Sequence, residues 1–250
     1  MREPIKQLAL HGERWVVEFV VIVLGILAAL AVDSWSEDRN NRQLEHEYLA
    51  RLQDDLRSDL DEVEIAINAS LDQARAATSI LVNLNDSLAE DIPSFTDTIE
   101  ATDFTAPVHE EGVYSKGHVV WDAVRSRSFD ARRGTYDELL ATGRIIVIDD
   151  VGLRAAIIDH YSMVEDRVTG LPERVAGAAN EVNESVRKTG FNAFDFDAVD
   201  DPYPLLRRLD ELPPLLRDLR RVSLRQVQTL ETVDKSSREL LEAIASYTKH

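Results

Sequence analysis

Residues Trp15 to Val32 read WVVEFVVIVLGILAALAV, an apolar run broken by a single charge at Glu18. A helix rises about 1.5 Å per residue, so this run comes close to the roughly 30 Å of a bilayer core. The stretch predicts a transmembrane helix over 15–35, with a cytoplasmic N-terminus (1–14) before it and a helical extracytoplasmic domain (36–250) after it. A cleaved signal peptide is the alternative, because Ala29-Leu30-Ala31 fits a small-x-small cleavage site and Arg2, Lys6 and Arg14 make a basic leader. The run exceeds the usual apolar region of a signal peptide and carries Glu18 near its start, which favours an uncleaved anchor.

Charge constrains what lies beyond the run. Arg2, Lys6 and Arg14 offset Glu3, Glu13 and Glu18, so the whole formal net charge of −18 belongs to the region after it. Such a surface repels nucleic acid, and no nucleic-acid partner is expected. Arg2, Lys6 and Arg14 precede the span and Arg39 and Arg42 follow it closely. That slight basic excess places the tail on the far side of a bacterial inner membrane, in the periplasm. The chain contains no cysteine, which removes disulfides, thiolate zinc sites and thiol nucleophiles.

The tail is patterned for helices. From about 41 to 90 there is neither Gly nor Pro, and Leu49, Leu52, Leu56, Leu60, Val63, Ile67, Leu71 and Ala74 follow a 3-4-4 cycle that repeats every eleven residues. That period suits a nearly straight or slightly right-handed helix, continuous with the span and ended near Pro93. A short helical pair is expected over about 118–143. Trp121 is its core residue, Thr135 and Glu138 form a capping box, and Gly143 is the stop. A long helix over about 150–189, capped by Asp149 or Asp150, places Tyr161, Val168, Val175 and Val182 at one heptad position. Ile157, Val164, Leu171 and Ala178 take the other, and the phase survives Pro172, so a kink is expected there. A C-terminal helix over about 215–248 carries Leu216, Ser223, Leu230, Ser237 and Ile244 at one position and Leu219, Gln226, Val233, Leu240 and Tyr247 at the other. Together these predict an all-α protein: one transmembrane helix followed by an elongated antiparallel bundle with coiled-coil-like packing. The β-like run Ile145–Ile148 is expected to be a buried connector.

Two strings, EFVVIVLGILAALAVDSWSEDRNNRQLEHEYL and GTYDELLATGRIIVIDDVGLRAAIIDHY, cover about a quarter of the chain. The first contributes Glu18, Gly25, Trp35 and Glu37, and the second Thr135, Tyr136, Glu138, Leu139, Gly143, Leu153, Arg154 and Tyr161. In these motifs the chain resembles an uncharacterised family of bacterial inner-membrane proteins with one N-terminal span and a helical extracytoplasmic domain. The resemblance implies that topology and supplies no activity. The chain departs from the family pattern at Asp33-Ser34, where Asn-Asn is common.

Candidate functional residues are few. Glu18 is an ionisable group within the apolar run, and Gly25 and Ala29 form a small-x-x-x-small pair through which two helices can approach. The six histidines show no His-x-x-x-His spacing, so no metal and no cofactor are expected, and His109-Glu110-Glu111 reads as a solvated loop. Ser185, Lys188 and Gly190 mimic fragments of penicillin-recognising enzymes but share one lysine, a chance match. Asp195, Asp197, Asp200 and Asp201 lack the glycine and terminal glutamate of a calcium loop. Nucleophile, base and orienting group do not assemble at any recognisable spacing, so no enzyme is expected. The expected partners are the lipid bilayer and either another protein or a second copy. The main functional expectation is an anchored interaction or scaffold protein, and the alternative is a sensor or ion-coupled subunit acting through Glu18. If the orientation is right, a periplasm-dependent phosphatase fused after His250 is active and stays with the membrane. Release of the fused tail into the soluble fraction would show cleavage near Ala31.

Overall fold

A computed structural model describes residues 5–109 and 115–249, whose regular elements are all helices, with no strand among the described residues. One helix, α1, runs without interruption from Ile5 to Asn83, 79 residues, which is about 120 Å of helix. It contains a segment long and apolar enough to cross a membrane. From Glu18 to Gln43 none of its side chains is buried. Packing starts at Glu45, Tyr48 and Leu49.

On the packed part of α1, Leu49, Leu52, Leu56, Val63, Leu71 and Ala74 of the eleven-residue reading are buried, but the full buried pattern follows a different period. Leu49, Leu56, Val63, Ser70 and Ala77 are buried, as are Leu52, Asp59, Ala66, Gln73 and Ile80. Both series step by seven, which is a heptad seam. Leu60 and Ile67 are only half-buried beside it. A count of apolar residues alone drifts onto them because Asp59, Ser70 and Gln73 occupy seam positions.

The seam is filled by α8 (Leu212–Tyr247). Its hydrogen bonds pair Tyr247 with Glu45, Ser223 with Gln73 and Arg217 with Asp86, so α8 runs antiparallel to α1. Nine of the ten heptad positions expected on α8 are buried, Tyr247 being half-buried. The serine at 223 makes room for a glutamine: Ser223 Oγ donates to Gln73 Oε1 at 2.7 Å.

α1 ends earlier than the absence of Gly and Pro suggests. Asn85 takes a left-handed conformation (φ 58°). Asp86 N–H then donates to Leu81 O and Asn85 N–H to Val82 O, which is the Schellman closure with asparagine in the glycine position. The short α2 (Asp97–Ala101) follows, capped by Thr96 Oγ1. α3 (His118–Val124) and α4 (Gly134–Ala141) do not form a pair. Val120 and Ala123 of α3 join the cluster around Ala77, Ile80 and Leu216, whereas Tyr136 and Leu139 of α4 join the one around Leu49, Leu52 and Ile244. These clusters lie at opposite ends of the bundle. The expected capping box is absent as well: Thr135 is buried inside α4, whose N-cap is Arg133, and Glu138 turns toward α1. Gly143 does adopt the left-handed stop (φ 67°).

Ile145–Ile148 falls mostly within a 3₁₀ turn (Arg144–Val147) in which Ile148 is buried and Ile146 is 71% exposed. α5 (Val151–Val168) is capped by Asp150, whose carboxylate accepts from Leu153 N–H at 2.7 Å. The expected kink at Pro172 is a break. Gly170 turns left-handed (φ 74°), and α6 (Leu171–Arg187) restarts with Pro172 in its first turn, where the missing N–H costs nothing. Tyr161, Val164, Leu171, Val175, Ala178 and Val182 nonetheless stay buried across the break. After Gly190 come a 3₁₀ turn (Asp195–Ala198) and the short α7 (Tyr203–Leu206).

Trp121 is half-buried, against the expectation of a core position. Its ring packs on His118 and Phe194, with the Arg125 guanidinium 4.8 Å from its centroid. Leu52, fully enclosed, is the better probe of the core. Leu52→Ala should lower the unfolding free energy by about 2–5 kcal/mol in denaturant titrations of the full chain, and Trp121→Ala by about 1–2 kcal/mol. A larger loss at Trp121 would contradict its position at the edge of the core.

Candidate functional site

Residues of the two sequence motifs meet where α1 first becomes buried. Glu138 of α4 accepts from Tyr48 Oη at 2.8 Å and from Arg51 at 2.6 Å, and Arg144 donates to Tyr48 Oη at 3.0 Å. Arg51 and then Tyr48 hold the Glu138 carboxyl below its ordinary range. Tyr136 stacks on Tyr161 with ring centroids 4.4 Å apart. Glu45 Oε1 accepts from the Asp149 N–H at 2.9 Å and from Tyr247 Oη at 2.8 Å, tying α1, the turn before α5 and the end of α8 together. Glu138, Tyr136 and Tyr161 therefore form a clamp on α1, while Thr135 is buried within α4 and Gly143 ends that helix.

Glu18, Gly25, Ala29 and Trp35 lie on the unpacked part of α1 and are exposed among the described residues. Trp35 is 64% exposed, with the Arg39 guanidinium 5.8 Å from its ring centroid. A Cβ added at Gly25 would meet nothing within 4 Å, so the Gly25 and Ala29 face is open.

The concentration of titratable side chains with reactive geometry lies elsewhere, on α3. Gly117 positions this helix: a Cβ there would sit 1.7 Å from the Phe196 carbonyl oxygen, so only glycine allows the approach. The other end is held by Gln73 Nε2, which donates to the Ala123 carbonyl at 3.0 Å. His118 and Asp122 are four residues apart on the helix and share a face. His109 reaches them from the preceding loop. His109 Nε2 is 3.0 Å from Asp122 Oδ2, and His118 Nε2 is 3.7 Å from Asp122 Oδ1. The two imidazoles meet edge to face at 5.1 Å. Asp122 is 6% exposed, and burial raises its carboxyl pKa while His109 and His118 act in the opposite direction. Asn68 and Asp72 of α1, with His109, Asp122, Arg125 and Arg127, border a cavity of about 270 Å³ beside the cluster.

Sequence reasoning missed this cluster. It treated His109 as part of a solvated loop, and Glu110 and Glu111 of that loop lie outside the described residues. Histidine-to-histidine spacing carries no trace of the cluster, whereas His118-x-x-x-Asp122 on one helical face does. Ser185 and Lys188 are brought together, but on Glu211, which accepts from Ser185 at 3.1 Å and from Lys188 at 2.6 Å. This ion pair, with its hydroxyl, joins α6 to the start of α8. Asp195 is used locally, its Oδ2 accepting the Asn192 N–H at 2.9 Å.

Comparison of the chain with protein-family models, curated proteins and solved structures finds no match.

Two buried groups make stability depend on pH. Asp59 is 2% exposed on the α1 seam and its Oδ1 accepts the Arg132 N–H at 2.9 Å. Burial pushes this carboxyl up to about 6, against the Arg132 hydrogen bond and with the help of like charge at Asp55 and Glu62. Folding then favours the protonated form, so stability is greatest below the unfolded pKa and is lost as pH rises through 6. Buried His160, with Nδ1 2.8 Å from Ser236 Oγ, has its pKa lowered to about 4 and acts in the opposite sense, losing stability as pH falls from the ordinary histidine range toward 4. Asp59→Asn keeps an acceptor for Arg132 and removes the charge. It should raise stability at pH 7 by about 1–3 kcal/mol, a gain that disappears as pH falls from 6 toward 4. An unchanged or lowered stability at pH 7 would show that Asp59 is accommodated as an anion.

Proposed function

We propose that the protein is a single-span bacterial inner-membrane protein whose helical domain stands on the periplasmic side and serves as an interaction scaffold. The observation that carries this reading is the continuity of α1. The same helix has an apolar stretch with no buried side chain between Glu18 and Gln43, then a heptad seam that forms the core of the bundle. Apolar residues such as Phe19, Ile22, Leu27 and Leu30 are more than half exposed, and a soluble domain would not leave such a surface uncovered. A lipid bilayer covers it at no cost, and Trp35 then falls at the interface. Because α1 has no break, the bundle stands at a fixed distance and orientation from the bilayer. The two motifs of the resemblance agree with this, since the first marks the exit from the membrane and the second the clamp that ends the exposed stretch.

A rigid scaffold fails when its rod is broken. Insertion of a short Gly-Ser segment between Trp35 and Glu45 should leave the protein in the membrane fraction after an alkaline wash and leave the bundle folded. Crosslinking to the protein recovered with the intact chain should fall at least several-fold. Undiminished crosslinking would remove rigid presentation from the function, and appearance of the uncut chain in the soluble fraction would overturn the anchor.

A further inference from the structure

We propose that His109, His118 and Asp122 form a binding site for a single zinc ion. The site is independent of the membrane reading and rests on donor chemistry and geometry. Tetrahedral zinc with bonds of about 2.0–2.2 Å holds its ligand atoms about 3.3–3.6 Å apart. His109 Nε2 lies 3.0 Å from Oδ2 of Asp122 and His118 Nε2 lies 3.7 Å from Oδ1 of the same carboxylate, so both imidazoles already face the one acid. One ligand atom from each of the three residues can be chosen so that all lie within 4.8 Å of one another. Zinc binding would draw the two imidazoles together on one Asp122 oxygen by side-chain rotation.

The donor set selects the class of ion. Two imidazole nitrogens and one carboxylate oxygen suit a borderline ion such as zinc, whereas calcium and magnesium require shells of oxygen. Three protein ligands leave a fourth position open, and the cavity beside His109 and Asp122 can supply a water molecule to it. The framework is built before any ion arrives. Gly117 is locked against the Phe196 backbone, Gln73 holds the other end of α3, and Asp122 is buried among core-facing neighbours Val120 and Ala123. A carboxylate that deep is stabilised by a cation at its oxygens. In the ion-free state His109 and His118 provide polar contacts there, and on zinc binding both imidazoles coordinate and their ligating nitrogens give up any proton they carry. The bound ion would tie His109, which lies in the chain between α2 and α3, to α3.

The test uses the full chain in detergent, free of added histidine tags and stripped with a chelator, titrated with zinc against a chromogenic competitor. One equivalent is expected to bind. His118→Gln and Asp122→Asn should each weaken binding by about a hundredfold or more, and His46→Gln should leave it unchanged. Asp122→Asn can perturb folding, so His109→Gln on the half-exposed side serves as the variant that separates lost ligation from lost structure, with helical dichroism recorded for each. Cobalt substituted for zinc should give the visible bands of a tetrahedral nitrogen–oxygen site, absent in His109→Gln. Failure of the folded wild-type chain to take up zinc would overturn the proposal. So would uptake of one equivalent with equal affinity in His109→Gln and His118→Gln.

Discussion

The structure depends on the antiparallel seam between α1 and α8. An isolated helix of this length gains little from its backbone alone, and most of its stability comes from burying one face. Here that face is a heptad stripe on each helix, and each stripe carries polar members where the other must accommodate them. Gln73 is the pivot. It accepts from Ser223 on α8 and donates to the Ala123 carbonyl at the end of α3, so one buried amide fixes the register of the seam and the seat of a third helix. Gln226 repeats the device one turn further along, donating to the Arg127 carbonyl at 3.1 Å. Polar residues on an otherwise apolar seam cost stability and select one alignment over its neighbours.

Both ends of the seam are closed by charge. At the far end Arg220 is 3% exposed and donates to the Ala89 carbonyl, to Leu88 O at 3.1 Å and to Asp91 O at 2.7 Å. Burial lowers its pKa, and main-chain oxygens take the place of water around the guanidinium. Arg217 meets Asp86 through both carboxylate oxygens at 3.1 and 2.9 Å, which fixes the residue after the left-handed Asn85. At the near end Glu45 and Glu138 gather Tyr48, Arg51, Arg144, Asp149 and Tyr247. The acidic composition thus has a structural share. Several of its carboxylates are used as acceptors that fasten loops to the two long helices.

How much of this could be read from the sequence follows from what each signal measures. The heptads of α8 are legible because its serines and glutamine fall in phase with the leucines. The same period on α1 is hidden because Asp59, Ser70 and Gln73 hold seam positions, and apolar residues alone lead onto half-buried Leu60 and Ile67. The break before Pro172 was hidden because the buried positions keep their phase through it, and only the left-handed Gly170 distinguishes a break from a kink. Thr135 and Glu138 have the spacing of a capping box, yet the pull of Arg51 and Tyr48 on Glu138 comes from a helix nearly ninety residues away and leaves no local trace. For the same reason no local spacing joins His109 to His118 and Asp122, because His109 lies outside α3.

One stretch of α1 receives help from neither environment. Between Asp33 and Gln43 no side chain is buried, and the segment also lies beyond the apolar run. Its helix must hold by propensity and local pairs. No Gly or Pro occurs from Ile26 to Ile92, Arg39 lies over Trp35 one turn away, and Asp38 precedes Arg42 by four residues, the favourable order for an acid and a base on a helix. Each such contribution is about 0.2–0.5 kcal/mol, small beside the burial that sustains the seam. The segment nevertheless stays helical because it is bracketed. Helix propagation needs no new nucleus when ordered turns already stand on both sides, and the cost of initiation falls on its neighbours. The stiffness of the link between the apolar run and the bundle is therefore borrowed from both flanks.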